Sequence, residues 1–595
     1  MRKSIVLPIL CSSVIAAHAQ TMRPEIRAQH GVVAAGRHYS AEAGMSVLRD
    51  GGNAVDAGVA AVLAASICEI SHFGFGGEVP IIIHDPAQGR TVVINGQGPA
   101  PAAAKHTMWQ EAGEVPGNGP LGATVPAMLD SVSLALEHFG TKSLTEVLAP
   151  AIELADGFPM YAFLHHYMES EREASMAYAS TAAAIYPDGK VPAVGEIFRQ
   201  PDLARTLRAI TDAEQEALAG GASREDAIRA GRDRFYKGDI ARRMAAGMES
   251  DGGLMTYEDL AGYQGRIEEP AATTFHGYTV YKAGPWNQGP VLLQTLNILE
   301  GFDLNEMGHG STRYIHTVTE AMKLAYDDRD TFYGDPDFVD VPMHGLLSKE
   351  YAAERRAAID ANEAFAGHRP GNPYPFDDTM QAPTSIYQLP TEPAGEGPEV
   401  GDTTCVNAVD SSGLLFSATP SSGWLLGGMY VAGDTGVPMS NRMQAFVADP
   451  ASPNVVAGGK RPRTTLTPTI LLKDGEPFLA ISTPGGDTQD QQILNVLLAL
   501  TQFDMGLQEA VEAPRINSRH MFRSFGAHES DPLGLEVESR IAPGVIEALE
   551  RKGHKVIVRG PWGISTGITA VGVDPSTGTL VGAADVRRER YVLGW

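Results

Sequence analysis

The chain has 595 residues and a formal net charge of −26 at pH 7, from 46 Lys and Arg against 72 Asp and Glu. This balance argues against nucleic acid or an anionic membrane as a partner, because phosphate groups are bound by clustered Lys and Arg. Its three cysteines are too few for the disulfide framework of a small secreted domain. The length suffices for several domains or for one large core made of two chains.

A secretory leader is predicted at the N-terminus. Arg2 and Lys3 precede an apolar run over residues 5–16, and Ala17-His18-Ala19 is a small-x-small cleavage pattern. Residues 1–19 are therefore predicted to be a signal peptide, which places the mature protein in the periplasm or the medium. The apolar run is shorter than the roughly 20 residues that cross a bilayer, so we expect no association with a membrane.

The first two thirds of the mature chain is predicted to be mainly helical. Asn53 follows two glycines and can cap a helix that runs toward Ile67. Further helical patterns cover 41–49, 144–220, 239–259, 291–299 and about 312–329, and short strands are predicted at 80–84, 91–95 and 278–282. Pro and Gly then dominate residues 369–401, which indicates an exposed linker.

Two His and Glu pairs lie four residues apart within these helical patterns. They are His165 with Glu169 and His316 with Glu320. Neither pair has an evident third ligand. We therefore interpret both as surface pairs, and we predict no metal or other cofactor.

After the linker the pattern of apolar residues changes from helical to alternating, which predicts strands. Two hairpins and a helix are predicted, over 405–409 with 414–419, over 469–473 with 477–482, and over about 487–501. Gly485 and Gly486 separate the second hairpin from the helix. Unpaired N–H groups at such a helix N-terminus can stabilise an oxyanion. An ordinary strand-to-helix turn is the alternative.

Thr403 and Thr404 stand where the linker meets the first of these strands. Both are β-branched and can be ordinary strand residues. If the peptide bond between Asp402 and Thr403 is cut, however, Thr403 gains an α-amine with a reference pKa of about 7.7 to 8.0 beside its own hydroxyl. One residue then supplies both the nucleophile and the base.

Several short motifs follow one another along the chain: Gly51-Gly52-Asn53-Ala54-Val55-Asp56-Ala57, Gly238-Asp239-Ile240-Ala241 with Gly252-Gly253-Leu254, Leu296 to Phe302, Thr403-Thr404, Arg461-Pro462 with Thr467-Pro468-Thr469, and Pro484-Gly485-Gly486. Together they resemble the γ-glutamyltransferase (glutathione hydrolase) family, and their order and spacing match over nearly all of the mature chain. The resemblance implies an N-terminal-nucleophile hydrolase with an α+β fold, a four-layer αββα sandwich. It also implies a proenzyme that cuts itself into a large chain, 20–402, and a small chain, 403–595, which stay associated.

The same resemblance assigns roles to single residues. It implies that Thr403 attacks first its own preceding bond and then the substrate amide, and that Ser421 orients the new terminal amine. Thr464 and Thr465 match residues of the family's substrate pocket. Gly485 and Gly486 match its oxyanion donors.

Departures from the family pattern bear on the substrate. Family members that act on γ-glutamyl compounds hold the α-carboxylate with an Arg and the α-amine with an Asp, and the aligned positions here are Gln97 and Ala445. Gly423 likewise replaces a polar side chain. Losing a charged partner costs roughly 1.5 to 3 kcal/mol each, so both losses reduce glutamyl recognition by about a hundredfold or more. Arg442, close to Ala445 in sequence, offers a replacement for the missing Arg.

Three hypotheses about function follow from the sequence. The first is hydrolysis or transfer of γ-glutamyl compounds such as glutathione. The second is cleavage of another small-molecule acyl amide, such as a dicarboxylic monoamide or the side-chain amide of a cephalosporin-type β-lactam. The third, from a different class, is a processed but inactive binding or scaffold protein, which the presence of Thr403 and the Gly pair disfavours.

Overall fold

The computed structural model describes residues 21–390 and 403–595. The predicted signal peptide, residues 1–19, lies outside the described residues, as do the last part of the linker and Asp402 on the N-terminal side of the predicted cut. In the described part of the chain, no helix combines the length and the apolar character needed to cross a bilayer.

Two seven-stranded antiparallel sheets form the centre of the fold. The first sheet contains, in spatial order, the strands Ile26–Ala28, Leu580–Ala584, Thr569–Val573, Glu476–Ser482, Thr469–Lys473, Tyr278–Lys282 and Ala271–Phe275. The second sheet contains Tyr591–Gly594, Gly31–Ala35, Val406–Asp410, Leu415–Ala418, Ile81–Asp85, Arg90–Asn95 and Arg266–Glu268. Two smaller sheets are formed by Ile516–Ser518, Gly534–Glu538 and Lys555–Arg559, and by Phe158–Pro159 and Ile197–Phe198.

The two large sheets pack against each other through small apolar side chains. Val32 and Val409 of the second sheet share one buried cluster with Ala480 and Val571 of the first sheet. Because successive side chains in a strand point to opposite faces, the neighbouring residues of the same strands point away from this cluster. Each sheet therefore has a second apolar face that needs its own cover.

Helices provide that cover on both sides. The second sheet shares a buried core with the helices His38–Arg49, Ala54–Cys68, Met128–Phe139, Leu144–Asp156, Pro201–Ala219, Arg224–Tyr236, Asp239–Ser250 and Tyr257–Ala261. The first sheet shares another with Pro290–Leu299, Leu304–Met307, Thr312–Phe332, Met343–Leu347, Lys349–Ala357, Gln489–Phe503, Leu507–Glu512 and Pro543–Arg551. The remaining short α-helices of the described residues are Ala162–Ser170, Arg172–Met176, Ala179–Ile185 and Leu426–Met429. The result is a mixed α/β fold with antiparallel sheets.

The cap prediction at Asn53 is confirmed. The helix begins at Ala54, and the Asn53 side chain accepts hydrogen bonds from the backbone N–H groups of Val55 at 2.9 Å and Asp56 at 3.0 Å. The first strand after the linker, predicted over 405–409, is observed one residue later, at Val406–Asp410. Thr403 and Thr404 therefore precede the strand and take no part in its ladder.

Candidate active site

Thr403 lies at the wall of a cavity of about 790 Å³ and is only 3% exposed. The adjacent Thr404 is fully buried, and its N–H donates to the carbonyl of Pro420 at 3.0 Å. The Val406–Asp410 strand, which begins three residues after Thr403, pairs on both edges with neighbouring strands of the second sheet. The centre of a sheet therefore fixes the position of Thr403 at the cavity.

Ser421 directly follows Pro420, whose carbonyl accepts from the Thr404 N–H, and its own main chain pairs with that of Glu78. Its N–H donates to the Glu78 carbonyl at 3.0 Å, and its own carbonyl accepts from the Glu78 N–H at 2.8 Å. The Ser421 hydroxyl accepts from the N–H of Gly423 at 3.1 Å and donates to the His72 carbonyl at 3.4 Å. Ser421 is buried behind the cavity surface and, unlike Thr403, does not line it.

Gly485 and Gly486 line the same cavity, in the turn between the Glu476–Ser482 strand and the following helix. Their φ angles of +123° and +55° lie in the region that favours glycine. In the described part of the chain, neither backbone N–H donates a hydrogen bond. Two N–H donors without a hydrogen bond, on the wall of the cavity that Thr403 also lines, are the elements of an oxyanion site.

Thr464 and Thr465 are buried one layer behind these glycines. The Thr464 N–H donates to the Trp286 carbonyl at 3.0 Å, and Gln288 Nε2 contacts the carbonyls of Thr465 at 3.4 Å and Gly486 at 3.2 Å. The two threonines thus support the glycine turn through Gln288. They do not line the cavity.

The two positions that depart from the family pattern also lie behind the cavity surface. Gln97 is buried, and its Nε2 donates to the adjacent Gly98 carbonyl at 3.1 Å. Ala445 is buried at the end of the short 3₁₀ helix Arg442–Ala445, where its carbonyl accepts from Asn454. Neither residue lines the cavity.

Of the predicted substrate-binding residues, only Arg442 lines the cavity. Its Nε lies 3.5 Å from Glu78 Oε2, and its guanidinium carbon lies 5.4 Å from the centroid of the Phe525 ring. Glu78 Oε1 accepts from the hydroxyls of Thr124 and Ser440. Burial raises the pKa of the Glu78 carboxyl, and the nearby guanidinium opposes that rise.

The Arg442 guanidinium is incompletely satisfied. Within residues 21–390 and 403–595, Nε and Nη2 have no hydrogen-bond partner, and the side chain is buried. Buried donors without acceptors carry a desolvation cost of about 1 to 3 kcal/mol, more for charged groups. Because Arg442 lines the cavity, its guanidinium is a candidate binding group for a carboxylate.

Many charged side chains line the remainder of the cavity. The basic residues are Arg519, Arg523, Lys555, Arg559 and Arg588, and the acidic residues are Asp487, Glu529, Asp531 and Glu536. Each acid has a cationic partner: Asp487 with Arg329 at 2.5 Å, Glu529 with Arg523 at 3.4 Å, Asp531 with Lys555 at 3.0 Å, and Glu536 with Nε of Arg559 at 3.0 Å. The basic residues of this set are called the basic wall below.

The model of the gamma-glutamyltranspeptidase family matches residues 40–595. The chain belongs to the γ-glutamyltranspeptidase family. It is 32% identical to the glutathione hydrolase proenzyme of Escherichia coli (strain K12), over 94% of this chain and 91% of that protein. It is 33% identical to the acylase ACY 1 proenzyme of Pseudomonas sp. (strain SE83), over 93% and 91%.

A solved structure agrees with this membership. The cephalosporin acylase from Bacillus halodurans is similar to this chain with a TM-score of 0.82 and 28% identity, over 97% of this chain and 98% of that chain. The family resemblance indicated by the sequence motifs is therefore confirmed. By name, the relatives in the γ-glutamyltranspeptidase family include both hydrolases and acylases.

The sequence predictions for this γ-glutamyltranspeptidase-family chain do not include the basic wall. One signal was available, because alternation along the strand Lys555–Arg559 places its two charged ends on the same face. Lys555 and Arg559 line the same cavity as Arg519 because of the three-stranded sheet, in which the middle strand pairs antiparallel with one neighbour and parallel with the other. That pairing is not encoded in any local pattern.

The interpretation of His316 with Glu320 as a surface pair is wrong. The helix Thr312–Phe332 is buried along almost its whole length, because it lies between the first sheet and the outer helices. His316 Nδ1 is 2.9 Å from Nε2 of His554, and Glu320 accepts a hydrogen bond from Lys323 at 2.9 Å. His316, Glu320 and His554 lie close together in the described structure, and each of these three side chains already contacts a protein partner.

A second buried group links the segment before the linker to residues after it. Asp327 Oδ1 lies 2.7 Å from both His368 Nδ1 and His520 Nε2, and Ser530 Oγ lies 3.1 Å from His368 Nε2. Burial raises the pKa of the Asp327 carboxyl, but His520 and His368 outweigh it and hold that pKa below its ordinary value. We interpret this group as a polar link between the two parts of the chain.

His554 gives the protein a predicted pH dependence. Burial first, and then the charges of His316, Lys323 and Lys552, lower the pKa of His554 to about 3. The unfolded chain, with a His pKa near 6.5, therefore binds more protons below that pH, and stability falls as the pH drops from about 6.5 toward 3. We expect protonation of this group in the unfolded chain to lower the free energy of unfolding by about 2 kcal/mol between pH 7 and pH 5.

Urea unfolding at pH 7 and pH 5 tests this expectation. In His554→Gln, which keeps a donor at the Nε2 position, the difference in unfolding free energy between the two pH values should shrink by about 2 kcal/mol. The exposed His166→Gln is the matched control. An unchanged pH difference in His554→Gln would contradict the assignment.

Proposed function

We propose that the chain is a self-processing amide hydrolase and acyltransferase that uses Thr403 as an N-terminal nucleophile. Cleavage of the bond between Asp402 and Thr403 frees the α-amine, which takes the proton of the Thr403 hydroxyl as the oxygen attacks a substrate amide. The tetrahedral oxyanion is held by the N–H groups of Gly485 and Gly486. The leaving amine takes the proton, and water or an acceptor amine then releases the acyl group from Thr403.

The cut chains would stay together because their strands share sheets. In the second sheet, Gly31–Ala35 pairs with Val406–Asp410, so the proposed large chain (20–402) and small chain (403–595) alternate across one hydrogen-bonded ladder. The same holds in the first sheet for Tyr278–Lys282 and Thr469–Lys473. We infer a four-layer αββα sandwich from two facing sheets with helices on their outer faces. The name proenzyme given to the relatives supports processing.

We infer that the preferred acyl group carries a terminal carboxylate and lacks an α-ammonium group, as in a dicarboxylic monoamide or a cephalosporin side chain. One observation carries this inference. Arg442 lines the cavity with a buried guanidinium that has no hydrogen bond at Nε or Nη2 among the described residues and whose ion-pair partner Glu78 lies behind the cavity surface, whereas every acidic residue on the cavity wall has a cationic partner at 3.4 Å or less. An acyl carboxylate has a binding group in this cavity, and an ammonium has none. The similarity to named acylases supports the same substrate class.

Hydrolysis or transfer of γ-glutamyl compounds is the second candidate. It is favoured by the similarity to the Escherichia coli glutathione hydrolase proenzyme. Gln97 and Ala445 stand against it, since neither supplies the charge that a glutamyl α-carboxylate or α-amine would require.

A pair of chromogenic substrates separates the two candidates. The purified protein is incubated with a glutaryl nitroanilide and with the γ-glutamyl nitroanilide, which differ only by the α-amino group. We expect kcat/KM to favour the glutaryl compound by at least about tenfold, because an unpaired ammonium must lose its hydration in the cavity. Preference for the γ-glutamyl compound would reject the acylase proposal and retain the second candidate.

Electrophoresis of the same sample tests processing and export. Two bands are expected, and N-terminal sequencing of the bands should find the smaller chain beginning at Thr403 and the larger beginning after residue 19 if the predicted leader directs export. A single uncut chain that releases neither chromophore would instead support the scaffold hypothesis.

A further inference from the structure

Three side chains of metal-binding type meet behind the cavity wall. Asp327 Oδ1 lies 2.7 Å from His368 Nδ1 and 2.7 Å from His520 Nε2. The side chains of Asp327 and His520 are fully buried, and that of His368 is 11% exposed. The sequence prediction of no metal concerned pairs at helical spacing, whereas these three residues lie far apart along the chain. No local spacing therefore points to this group.

The hydrogen bonds of the His520 ring determine which of its nitrogens carries the proton. His520 Nδ1 lies 3.2 Å from the carbonyl of Pro532, which can only accept, so Nδ1 is the donor. A neutral imidazole has one N–H and one lone pair. The neutral His520 ring therefore directs the lone pair of Nε2 at Asp327 Oδ1.

Ser530 determines the proton position of His368 in the same way. The Ser530 hydroxyl donates its only proton to the His520 carbonyl at 2.6 Å. It must therefore accept from His368 Nε2, which lies 3.1 Å away. The neutral His368 ring is left with a lone pair at Nδ1, which also faces Asp327 Oδ1.

Three lone-pair donors that face one another need a cation among them. Protonation of both rings places two imidazolium ions, with ring centroids 4.7 Å apart, beside one carboxylate in a buried position, and like charges at this distance disfavour each other. A divalent metal ion instead uses neutral imidazole nitrogens and a carboxylate oxygen, which are ligands of zinc. Ligating histidines commonly donate their second N–H to a backbone carbonyl or another oxygen, as both rings do here.

We propose that Asp327, His368 and His520 bind one zinc ion. The protein ligands are Asp327 Oδ1, His368 Nδ1 and His520 Nε2, and a water molecule takes the fourth position of the tetrahedron. Ligand atoms around tetrahedral zinc are about 3.3 Å apart, so each 2.7 Å contact lengthens by about 0.6 Å on binding. Asp327 is held from its other side, because Oδ2 accepts from the Arg369 N–H at 2.6 Å.

The other buried group with two histidines has its hydrogen bonds satisfied without a metal. His316 Nε2 donates to the Asp360 carbonyl at 2.8 Å, so His316 Nδ1 can accept from His554 Nε2 at 2.9 Å. Glu320 is already in contact with the ammonium group of Lys323 at 2.9 Å. An ammonium group on the carboxylate opposes a metal ion there, so this group serves as a control.

The position of the zinc site gives the metal a structural role. Asp327 and His368 precede the linker, and His520 follows it. The residues on either side of His520 line the cavity, as does Ser530. The zinc ion therefore fastens this part of the cavity wall to the chain before the linker. If the chain is cut as proposed above, the ion also joins the two products, although zinc binding itself does not depend on the cut.

Metal analysis of the untagged purified protein tests the proposal. After dialysis against metal-free buffer, inductively coupled plasma mass spectrometry should find about one zinc ion per chain. Chelator-treated protein should take up ZnCl₂ to the same ratio, and its midpoint of thermal unfolding should rise with zinc concentration because the ion binds the folded state. CoCl₂ in place of ZnCl₂ should give the visible absorption of tetrahedral cobalt.

Variants assign the metal to this group. Asp327→Asn and His520→Gln should each hold less than about one tenth of a zinc ion per chain, because loss of a ligand weakens binding more than loss of an outer partner does. Ser530→Ala removes only the acceptor of the His368 N–H and should lower zinc affinity about ten- to one hundredfold in competition with a chelating dye. His554→Gln and the exposed His166→Gln are the matched controls and should keep the zinc. Circular dichroism and gel filtration establish which variants fold.

Several outcomes would overturn the proposal. Protein that contains no zinc and takes up neither zinc nor cobalt would leave the group as a polar link only. Zinc that is retained by both Asp327→Asn and His520→Gln, or that is lost in His554→Gln, would place the metal elsewhere. If the two ligand variants fail to fold, an unchanged zinc affinity in Ser530→Ala decides against the site. Metal content is measured without a substrate, so these outcomes are independent of the proposed function.

Discussion

Thr403→Ala should yield a single uncut chain with amide hydrolysis reduced by about 10⁴-fold or more. The hydroxyl is the atom that attacks in both self-cleavage and catalysis, so its removal stops both reactions, and no second residue can take over the role of a covalent nucleophile. Electrophoresis and release of the nitroaniline chromophore measure the two effects in the same preparation. Thr403→Ser keeps a hydroxyl at the same position and should still be cut, although more slowly.

The adjacent threonine provides the matched control. Thr404 is fully buried, and its hydroxyl has no hydrogen-bond partner among the described residues. Thr404→Val replaces that hydroxyl with a methyl group of the same shape, so the variant should be processed and active, with stability equal to or above that of the parent chain. Normal processing of Thr403→Ala alongside normal processing of Thr404→Val would show that Thr403 is not the nucleophile of self-cleavage.

The parts of the site that the sequence predicts best are those determined by neighbouring residues. The glycine turn at Gly485 and Gly486 follows from the order of strand, glycine pair and helix, and the structure places it at the cavity with Thr403. The cap at Asn53 has the same local origin. In each case the backbone geometry depends on a few consecutive residues, which a sequence pattern can represent.

Burial and tertiary pairing are the parts that local patterns do not determine. Helical spacing places His316 and Glu320 on the same face of a helix, but only the packing of the Thr312–Phe332 helix against the first sheet decides whether that face is exposed. The family alignment likewise names Thr464 and Gln97 as pocket residues, and the structure places both behind the cavity surface. Whether a side chain points into a cavity or into the layer behind it depends on tertiary packing, which the sequence pattern does not determine.

Arg442→Gln should lower the preference for a carboxylated acyl group by about ten- to one hundredfold. The measurement compares kcat/KM for a glutaryl nitroanilide and for the butyryl nitroanilide, which is similar in shape but lacks the terminal carboxylate. The reduced ratio is expected because the substitution removes the positive charge of a side chain that lines the cavity. A ratio that does not change would contradict the role of Arg442 in acyl recognition.

Loss of Arg442 also has a structural consequence that must be separated from recognition. Glu78 lies 3.5 Å from the guanidinium in a fully buried position, and removal of one partner of a buried ion pair destabilises a protein by about 3 to 5 kcal/mol. The double variant Arg442→Gln with Glu78→Gln leaves no buried charge at this position. It should recover most of the stability in urea unfolding while the ratio of glutaryl to butyryl hydrolysis stays low. Recovery of that ratio in the double variant would instead show that Arg442 acts by holding the fold and not by contacting the substrate.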